Sequence, residues 1–140
     1  MANYYGKTRT NYFKVNDPEA FKELLEKCAG TEDPLKVWAK EEDGFYAFGC
    51  ESEVAGIDIN KDPDDPEYDY DAFLEALQKC VLPGDAVIIT SVGWEKLRYL
   101  GADAVIITAK DIEYMSLESA AIKKARELLG NPDWTTDNCY

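Results

Sequence analysis

Two copies of the segment Ala-Val-Ile-Ile-Thr, at residues 86–90 and 104–108, carry the clearest hydrophobic pattern in the chain. Runs of β-branched residues bounded by Asp, Gly or Ser are typical of buried strands rather than short helices. We therefore predict that both copies lie at the centre of a sheet with helices packed over it. Residues 97–100 and 112–115 are predicted to be further strands of the same meander.

The first helix has well-marked ends. Asn16 or Asp17 can cap it, and Pro18 suits its first position. Its apolar spacing predicts one buried face, and Gly30 is expected to end it. That face is formed by Phe21, Leu24, Leu25, Cys28 and Ala29.

Two more helices follow the same rules. The second is capped by Asp69 or Asp71, with an apolar side made of Tyr70, Phe73, Leu74, Leu77 and Val81. The third is predicted over residues 117–129, capped by Ser116 or Ser119 and ended by Gly130. Its predicted buried stripe comprises Ala121, Ile122, Ala125, Leu128 and Leu129. In the tail beyond it, Trp134 is expected to dock on the domain.

The first half of the chain adds strands. Residues 4–15 are predicted to be one strand, and residues 35–40 and 45–50 flank Asp43-Gly44, a strong hairpin signal. Alternation along residues 35–40 predicts that Val37 faces the core and Trp38 faces away. The order of elements predicts one domain over residues 1–140 with an α+β fold, a mainly antiparallel sheet with about three helices largely on one face.

Charge is concentrated in residues 51–71, called here the acidic segment. It holds nine acidic residues and one lysine, hence −8 of the total −13. Because Pro63, Pro66 and self-repelling charge oppose regular structure, residues 51–69 are predicted to be an acidic surface loop. A field of this sign repels nucleic acid and anionic membranes and attracts basic surfaces.

The chain lacks residues that several classes of enzyme and nucleotide-binding protein require. The chain contains no histidine and no nucleotide-binding fingerprint, so the usual triads and phosphate loops are excluded, and we predict a non-enzymatic protein without a cofactor. A site built from carboxylates and Arg98 is a weaker alternative.

The four cysteines are scattered along the chain and are predicted to be reduced, namely Cys28, Cys50, Cys80 and Cys139. With no membrane-length apolar run or signal peptide, we expect a cytoplasmic protein of a bacterial host.

A metal-binding interpretation of the acidic segment remains open. Asp58, Asn60, Asp62, Asp64 and Asp69 partly match a calcium loop. Pro63 at the sixth position and Asp69 in place of glutamate at the twelfth depart from that pattern. The sequence therefore favours a solvated loop over a metal- or ligand-binding one, and no metal ligand is assigned.

The acidic residues also stand at near-alternate positions. In an extended chain this would space same-side carboxylates by roughly 6–7 Å, close to the phosphate spacing of a nucleic-acid strand. Such a row could occupy a Lys- and Arg-lined channel of a protein that binds DNA. The predicted partner-binding residues are Glu51, Glu53, Asp58, Asp62, Asp64, Asp65, Glu67, Asp69 and Asp71.

The opening NYYGKTRTNYFKVNDPEAF and the closing ARELLGNPDWTTDNCY resemble small, acidic, functionally unassigned proteins of Gram-positive phages and conjugative elements. That resemblance implies an inhibitor of the anti-CRISPR or antirestriction type. The expected partner is then a basic protein surface, such as that of Cas9 or a restriction enzyme. An accessory protein without mimicry is the alternative, and a homodimer through a sheet edge or the Trp38 face is compatible with each hypothesis.

Overall fold

The part of the chain described by this computed structural model, residues 5–40, 42–60, 62, 64–96 and 99–136, forms ten strands and three helices. The strands are β1 (Tyr5–Thr10), β2 (Phe13–Lys14), β3 (Cys28–Gly30), β4 (Lys36–Lys40), β5 (Phe45–Glu51), β6 (Val54–Asp58), β7 (Tyr68–Asp69), β8 (Val87–Glu95), β9 (Tyr99–Ile107) and β10 (Ile112–Ser116). The helices are α1 (Pro18–Glu26), α2 (Tyr70–Cys80) and α3 (Leu117–Leu129). Every strand pairing is antiparallel within these residues, which confirms the α+β fold.

The larger sheet has the order β10-β9-β8-β1-β5-β2, with β4 also paired to β5. The two repeated apolar segments lie side by side in it, with Val87 opposite Ile107 and Ile89 opposite Val105. Strands β8 and β9 each have a neighbour on both sides, as the sequence predicts. The separate strand predicted over residues 97–100 is instead the start of β9, and residues 97 and 98 lie outside the described residues.

Helices α1 and α2 supply the apolar cover of this sheet. Phe13, on β2, meets Phe21 edge-on at 5.6 Å and Phe48 at 6.2 Å between ring centres. Phe48 in turn meets Phe73 of α2 at 5.9 Å. These rings are fully buried, so the sheet and both helices share one core.

Local signals place the beginning of each helix correctly. Asp17 caps α1 by accepting from the backbone N–H groups of Glu19 and Ala20. The end of α1 differs from the prediction, since it stops at Glu26 and Cys28 enters β3 opposite Ile57. A buried cysteine suits either a helix face or a strand, and pairing with β6 decides between them.

Strand β4 has the predicted orientation, because Val37 lies on the same face of the sheet as the buried Phe48 and Trp38 lies on the other face. Val37 is 46% exposed, whereas Trp38 is partly buried beneath the Arg9 side chain. The hairpin itself forms as predicted, with Val37 opposite Phe48 and Ala39 opposite Tyr46. Val37 is nevertheless exposed because β4 is an edge strand that the helices cover little, whereas Trp38 on the opposite face is covered by Arg9.

Helix α3 has the predicted bounds, with Ser116 as its N-cap and Gly130 in the left-handed conformation at its C-terminus. Its predicted buried stripe is wrong, because α3 contains no buried residue. Leu128 is 78% exposed and Leu129 is 60% exposed, while Ile122 and Ala125 are only half-buried. The helix therefore packs beside the end of the sheet and leaves most of its apolar side uncovered.

Candidate functional site

The acidic segment is not one surface loop. Val54 begins β6 and is 7% exposed, and the strand pairs with both β3 and β7. The four uncharged residues Val54–Ile57 were the signal for this strand, although proline and charge on either side obscure it. Apart from Ser52 and Glu53, which connect β5 to β6, the described residues of the segment outside helices and strands lie in the stretch 59–67, called here the acidic loop, of which residues 61 and 63 lie outside the described part.

Hydrogen bonds close the base of the acidic loop. Asp58 Oδ1 accepts from the backbone N–H of Asn60 at 2.9 Å and from that of Glu67 at 3.1 Å. The backbone N–H of Ile59 donates to the Glu67 carbonyl at 2.8 Å, and the Asn60 side chain donates to the Asp65 carbonyl at 2.7 Å. The loop is thus a folded projection, and the predicted extended row of carboxylates does not form.

The nine predicted partner-binding residues fall into two groups. Some have structural roles: Glu51 pairs with Lys7 at 2.8 Å, Asp58 closes the loop, and Asp69 caps α2 by accepting from Ala72 N–H at 2.9 Å. The hydrogen bond and charge of Lys7 lower the pKa of Glu51. The others are exposed, namely Glu53, Asp62, Asp64, Asp65, Glu67 and Asp71.

Four of the exposed carboxylates share the acidic loop: Asp62, Asp64, Asp65 and Glu67. The side chain of Asp62 accepts from the backbone N–H of Asp64 at 3.0 Å, which orders the loop locally. Because neighbouring like charges repel and these side chains face solvent, the loop is a compact centre of negative potential. The acidic loop can therefore attract cationic groups.

Basic side chains lie against aromatic rings rather than against these carboxylates. The cationic groups are held 4.3–5.9 Å from ring centres in the pairs Arg9–Trp38, Lys14–Phe45, Lys22–Tyr46 and Lys40–Tyr12. Within the described ranges the ion pairs are Lys7–Glu51 and Lys124–Glu127. Most of the acidic side chains in the described part of the chain are therefore not in an ion pair.

Two concave surfaces flank β9. The first, called here the polar cleft, has a volume of about 640 Å³ and includes Glu53, Tyr70, Ser91, Asp103 and Tyr114 in its lining. Sequence reasoning missed it, although Ser91 and Asp103 are polar residues at positions that continue the buried alternation of β8 and β9. That interruption of an apolar pattern was the available signal.

The second surface, called here the apolar groove, has a volume of about 730 Å³. Trp94 and Leu100 of the sheet, Ile122 of α3 and Trp134 of the tail contribute to its lining. The tail docks as predicted, since Arg126 Nε donates to the Trp134 carbonyl at 2.7 Å.

Three of the cysteines are buried and protonated. Burial raises the pKa of Cys28 to about 12 and that of Cys50 to about 11, and it also raises the pKa of Cys80. These three thiols are free, and Cys139 lies outside the described residues. Since the thiolate is the nucleophile and the metal ligand, none of the three is poised for either role near neutral pH.

Metal-binding side chains do not converge in the described ranges, where no group of three or more of them could hold an ion. In the segment that partly matches a calcium loop, Asp58 and Asp62 accept backbone N–H groups, and Asp69 caps a helix. Arg98, the basic member of the alternative enzyme site, lies outside the described residues.

No protein-family model, curated protein or solved structure matches the chain. Among the described helices, none combines the length and apolar character needed to cross a bilayer.

Proposed function

We propose that this protein is a non-enzymatic binding protein that uses the acidic loop to occupy a basic, nucleic-acid-binding surface of a nuclease. In this role it resembles inhibitors of the anti-CRISPR or antirestriction type, and its partner is an enzyme such as Cas9 or a restriction enzyme. The protein mimics the negative charge of nucleic acid and not its shape, since the folded loop does not reproduce the geometry of an extended strand.

The observation that carries this proposal is the separation of charge. The acidic loop presents Asp62, Asp64, Asp65 and Glu67 to solvent, while basic side chains lie on aromatic rings elsewhere. The net charge of −13 leaves an excess of acids in any arrangement, and the grouping of four of them in one loop concentrates that excess. Here the field is available to steer association with a cationic surface.

A folded projection also suits insertion into a channel. The hydrogen bonds of Asp58 and Asn60 fix the base of the acidic loop before any partner arrives. Less conformational freedom is then lost on binding than for a disordered acidic tail, so more of the electrostatic attraction remains as affinity.

The test compares two variants of equal net charge. One carries Asp62→Asn, Asp64→Asn, Asp65→Asn and Glu67→Gln. The matched control neutralises four exposed acids on α1, α2 and β10, with Glu23→Gln, Glu26→Gln, Glu75→Gln and Glu113→Gln. Both are assayed for binding to purified Cas9 and restriction enzymes at low and high ionic strength.

The proposal predicts salt-sensitive binding that the loop variant loses and the control variant largely keeps. Equal binding by the loop variant and the unaltered protein would overturn it. Equal weakening by both variants would show a general effect of net charge and would remove the acidic loop as the site.

A further inference from the structure

The floor of the polar cleft is a row of polar residues across four strands of the larger sheet. Thr8 lies opposite Ser91, Ser91 opposite Asp103, and Asp103 opposite Ser116. The next row on the same face runs through Thr10, Ile89, Val105 and Tyr114. The covered face of the sheet thus changes from apolar beneath α2 to polar at the cleft.

Hydrogen bonds fix this floor. Thr8 is 4% exposed, and its hydroxyl oxygen lies 2.9 Å from that of Ser91 and 2.7 Å from the carbonyl of Ser52, to which it donates. The Thr8 and Ser91 hydroxyls are thus ordered by hydrogen bonds before a ligand binds. Such preorganised polar groups give a site its orientation and specificity.

The walls carry negative charge and aromatic surface. Glu53 and Tyr70 form one side, next to β6 and the start of α2, whereas Tyr114 and Ser119 form the other, on β10 and α3. Asp103 on the floor is exposed to the cleft. None of the described lining residues is lysine or arginine, so no side chain among them neutralises Glu53 and Asp103 by contact.

The Tyr70 phenol remains uncharged near neutral pH. Burial raises the pKa of Tyr70 to about 12, with smaller contributions from the nearby Tyr114 and Glu53. A neutral phenol keeps its aromatic face attractive to cations and its hydroxyl available as a donor and acceptor. A cleft with two carboxylates, hydroxyl groups and two tyrosine rings favours a ligand with several N–H donors and a positive charge.

We propose that the polar cleft binds an alkyl guanidinium group, and that its occupant is an arginine side chain on the basic surface of the partner protein. The assignment of this arginine to a partner protein rests on the proposed function. A guanidinium offers five N–H donors in a planar fork and stacks on aromatic rings, which matches the two carboxylates and two tyrosines better than a compact ammonium does. The cleft volume of about 640 Å³ accommodates such a side chain.

The test uses a blocked tripeptide, acetyl-Gly-Arg-Gly-amide, and the same peptide with citrulline, whose uncharged urea group has nearly the same shape. Binding is followed by the amide NMR shifts of the full chain, which also confirm that each variant is folded. The arginine peptide is expected to shift resonances of the cleft, such as Ser91 and Tyr114, and the citrulline peptide is not. Equal binding of both peptides, or no binding of the arginine peptide, would overturn the proposal.

Two variants locate the site. Asp103→Asn and Glu53→Gln keep side-chain shape and are each expected to weaken binding of the arginine peptide roughly tenfold or more. Glu113→Gln removes the same charge from the neighbouring position of β10, whose side chain points to the opposite face, and should change binding little. An equal effect of Glu113→Gln would show diffuse attraction and would overturn the assignment to the cleft.

Agmatine, a free alkyl guanidinium, distinguishes a small molecule from a protein side chain. Binding of agmatine without binding of the arginine peptide would overturn the assignment to a partner protein. The acidic-loop variant should still bind the arginine peptide, because none of the four substituted residues lines the cleft. Failure of the peptide to bind while the loop variant still loses the nuclease would overturn this inference and leave the proposed function standing.

Discussion

The guanidinium carbon of Arg9 lies 4.3 Å from the centre of the Trp38 ring, so a cation of β1 is held on an aromatic side chain of β4. Gly49 of β5 lies between them and is opposite both Arg9 and Lys36. The absence of a side chain at Gly49 leaves room for the ring, whose Cζ3 would be 3.3 Å from an added Cβ. Three further lysines, Lys14, Lys22 and Lys40, also lie on aromatic rings.

The Arg9–Trp38 contact should contribute measurably to stability. Arg9→Met keeps the aliphatic stem and removes the cation, and we expect it to lower the free energy of unfolding by about 0.5–1 kcal/mol. Lys36→Met is the matched control on the neighbouring strand, because Lys36 is exposed, and should change the free energy by less than about 0.5 kcal/mol. Urea unfolding measures both, and equal effects would contradict a specific role for the ring contact.

Asp58 should stabilise the acidic loop through the hydrogen bonds that it accepts rather than through its negative charge. Asp58→Ala leaves the backbone N–H groups of Asn60 and Glu67 without their acceptor and should destabilise the protein by about 1–3 kcal/mol. Asp58→Asn keeps an acceptor oxygen and should cost clearly less, although both remove one negative charge. Urea unfolding distinguishes them, and an equal loss in both variants would show that charge, not the loop closure, is responsible.

The exposed side of α3 gives a prediction opposite to that of the sequence pattern. Leu128 is 78% exposed, so Leu128→Gln should change the free energy of unfolding by no more than about 0.5 kcal/mol. Phe73→Ala, which truncates a fully buried ring, should cost about 3–5 kcal/mol. Thermal unfolding at two protein concentrations provides the check, and a large, concentration-dependent loss in Leu128→Gln would instead reveal self-association through α3.

The buried thiols make stability depend on alkaline pH. Their ordinary pKa is 9.0, and burial raises it to about 12 for Cys28 and about 11 for Cys50. Above pH 9.0 the unfolded chain loses these protons while the folded chain keeps them. The stabilising contribution is therefore complete below pH 9.0 and is lost as the pH rises toward the folded values.

The measurement is urea unfolding below and above pH 9.0 in the presence of reductant, for the unaltered protein and for Cys28→Ala. The free energy of unfolding should fall across this range, and it should fall less steeply in the variant because one titrating group is gone. The same slope in both proteins would contradict the predicted desolvation of Cys28.

Local signals in the sequence were sufficient for much of the fold. Asp17 and Asp69 mark the starts of two helices because their side chains accept nearby backbone N–H groups, a contact that needs no distant partner. Gly44, with φ of 75°, likewise marks the turn before β5. The predicted helix starts and the turn at Gly44 were confirmed, whereas the local stop signal at Gly30 failed because residues 28–30 pair as β3, and the strand predicted over residues 4–15 is divided into β1 and β2.

Predictions that depend on tertiary partners were the ones that failed. The spacing of Leu128 and Leu129 defines an apolar stripe, but it cannot say whether another element reaches it. Alternation gave the two faces of β4 correctly but not their exposure, since Val37 shares the face of Phe48 and is still 46% exposed. Strand β6 was missed because its pairing with β3 and β7 is not visible locally. The polar cleft escaped prediction for the same reason, since it brings Glu53, Asp103 and Tyr114 together from separate strands and a connecting segment.

The most direct test of the central claim is a competition between this protein and duplex DNA for the nuclease that binds it. The anisotropy of a labelled duplex held by a catalytically inactive nuclease is followed while the protein is added, with the four-site acidic-loop variant and its equally charged control in parallel. We expect that the protein and the control displace the duplex, that the loop variant does not, and that salt abolishes the displacement. Binding of the protein to the nuclease without any loss of bound duplex would contradict the proposed mimicry.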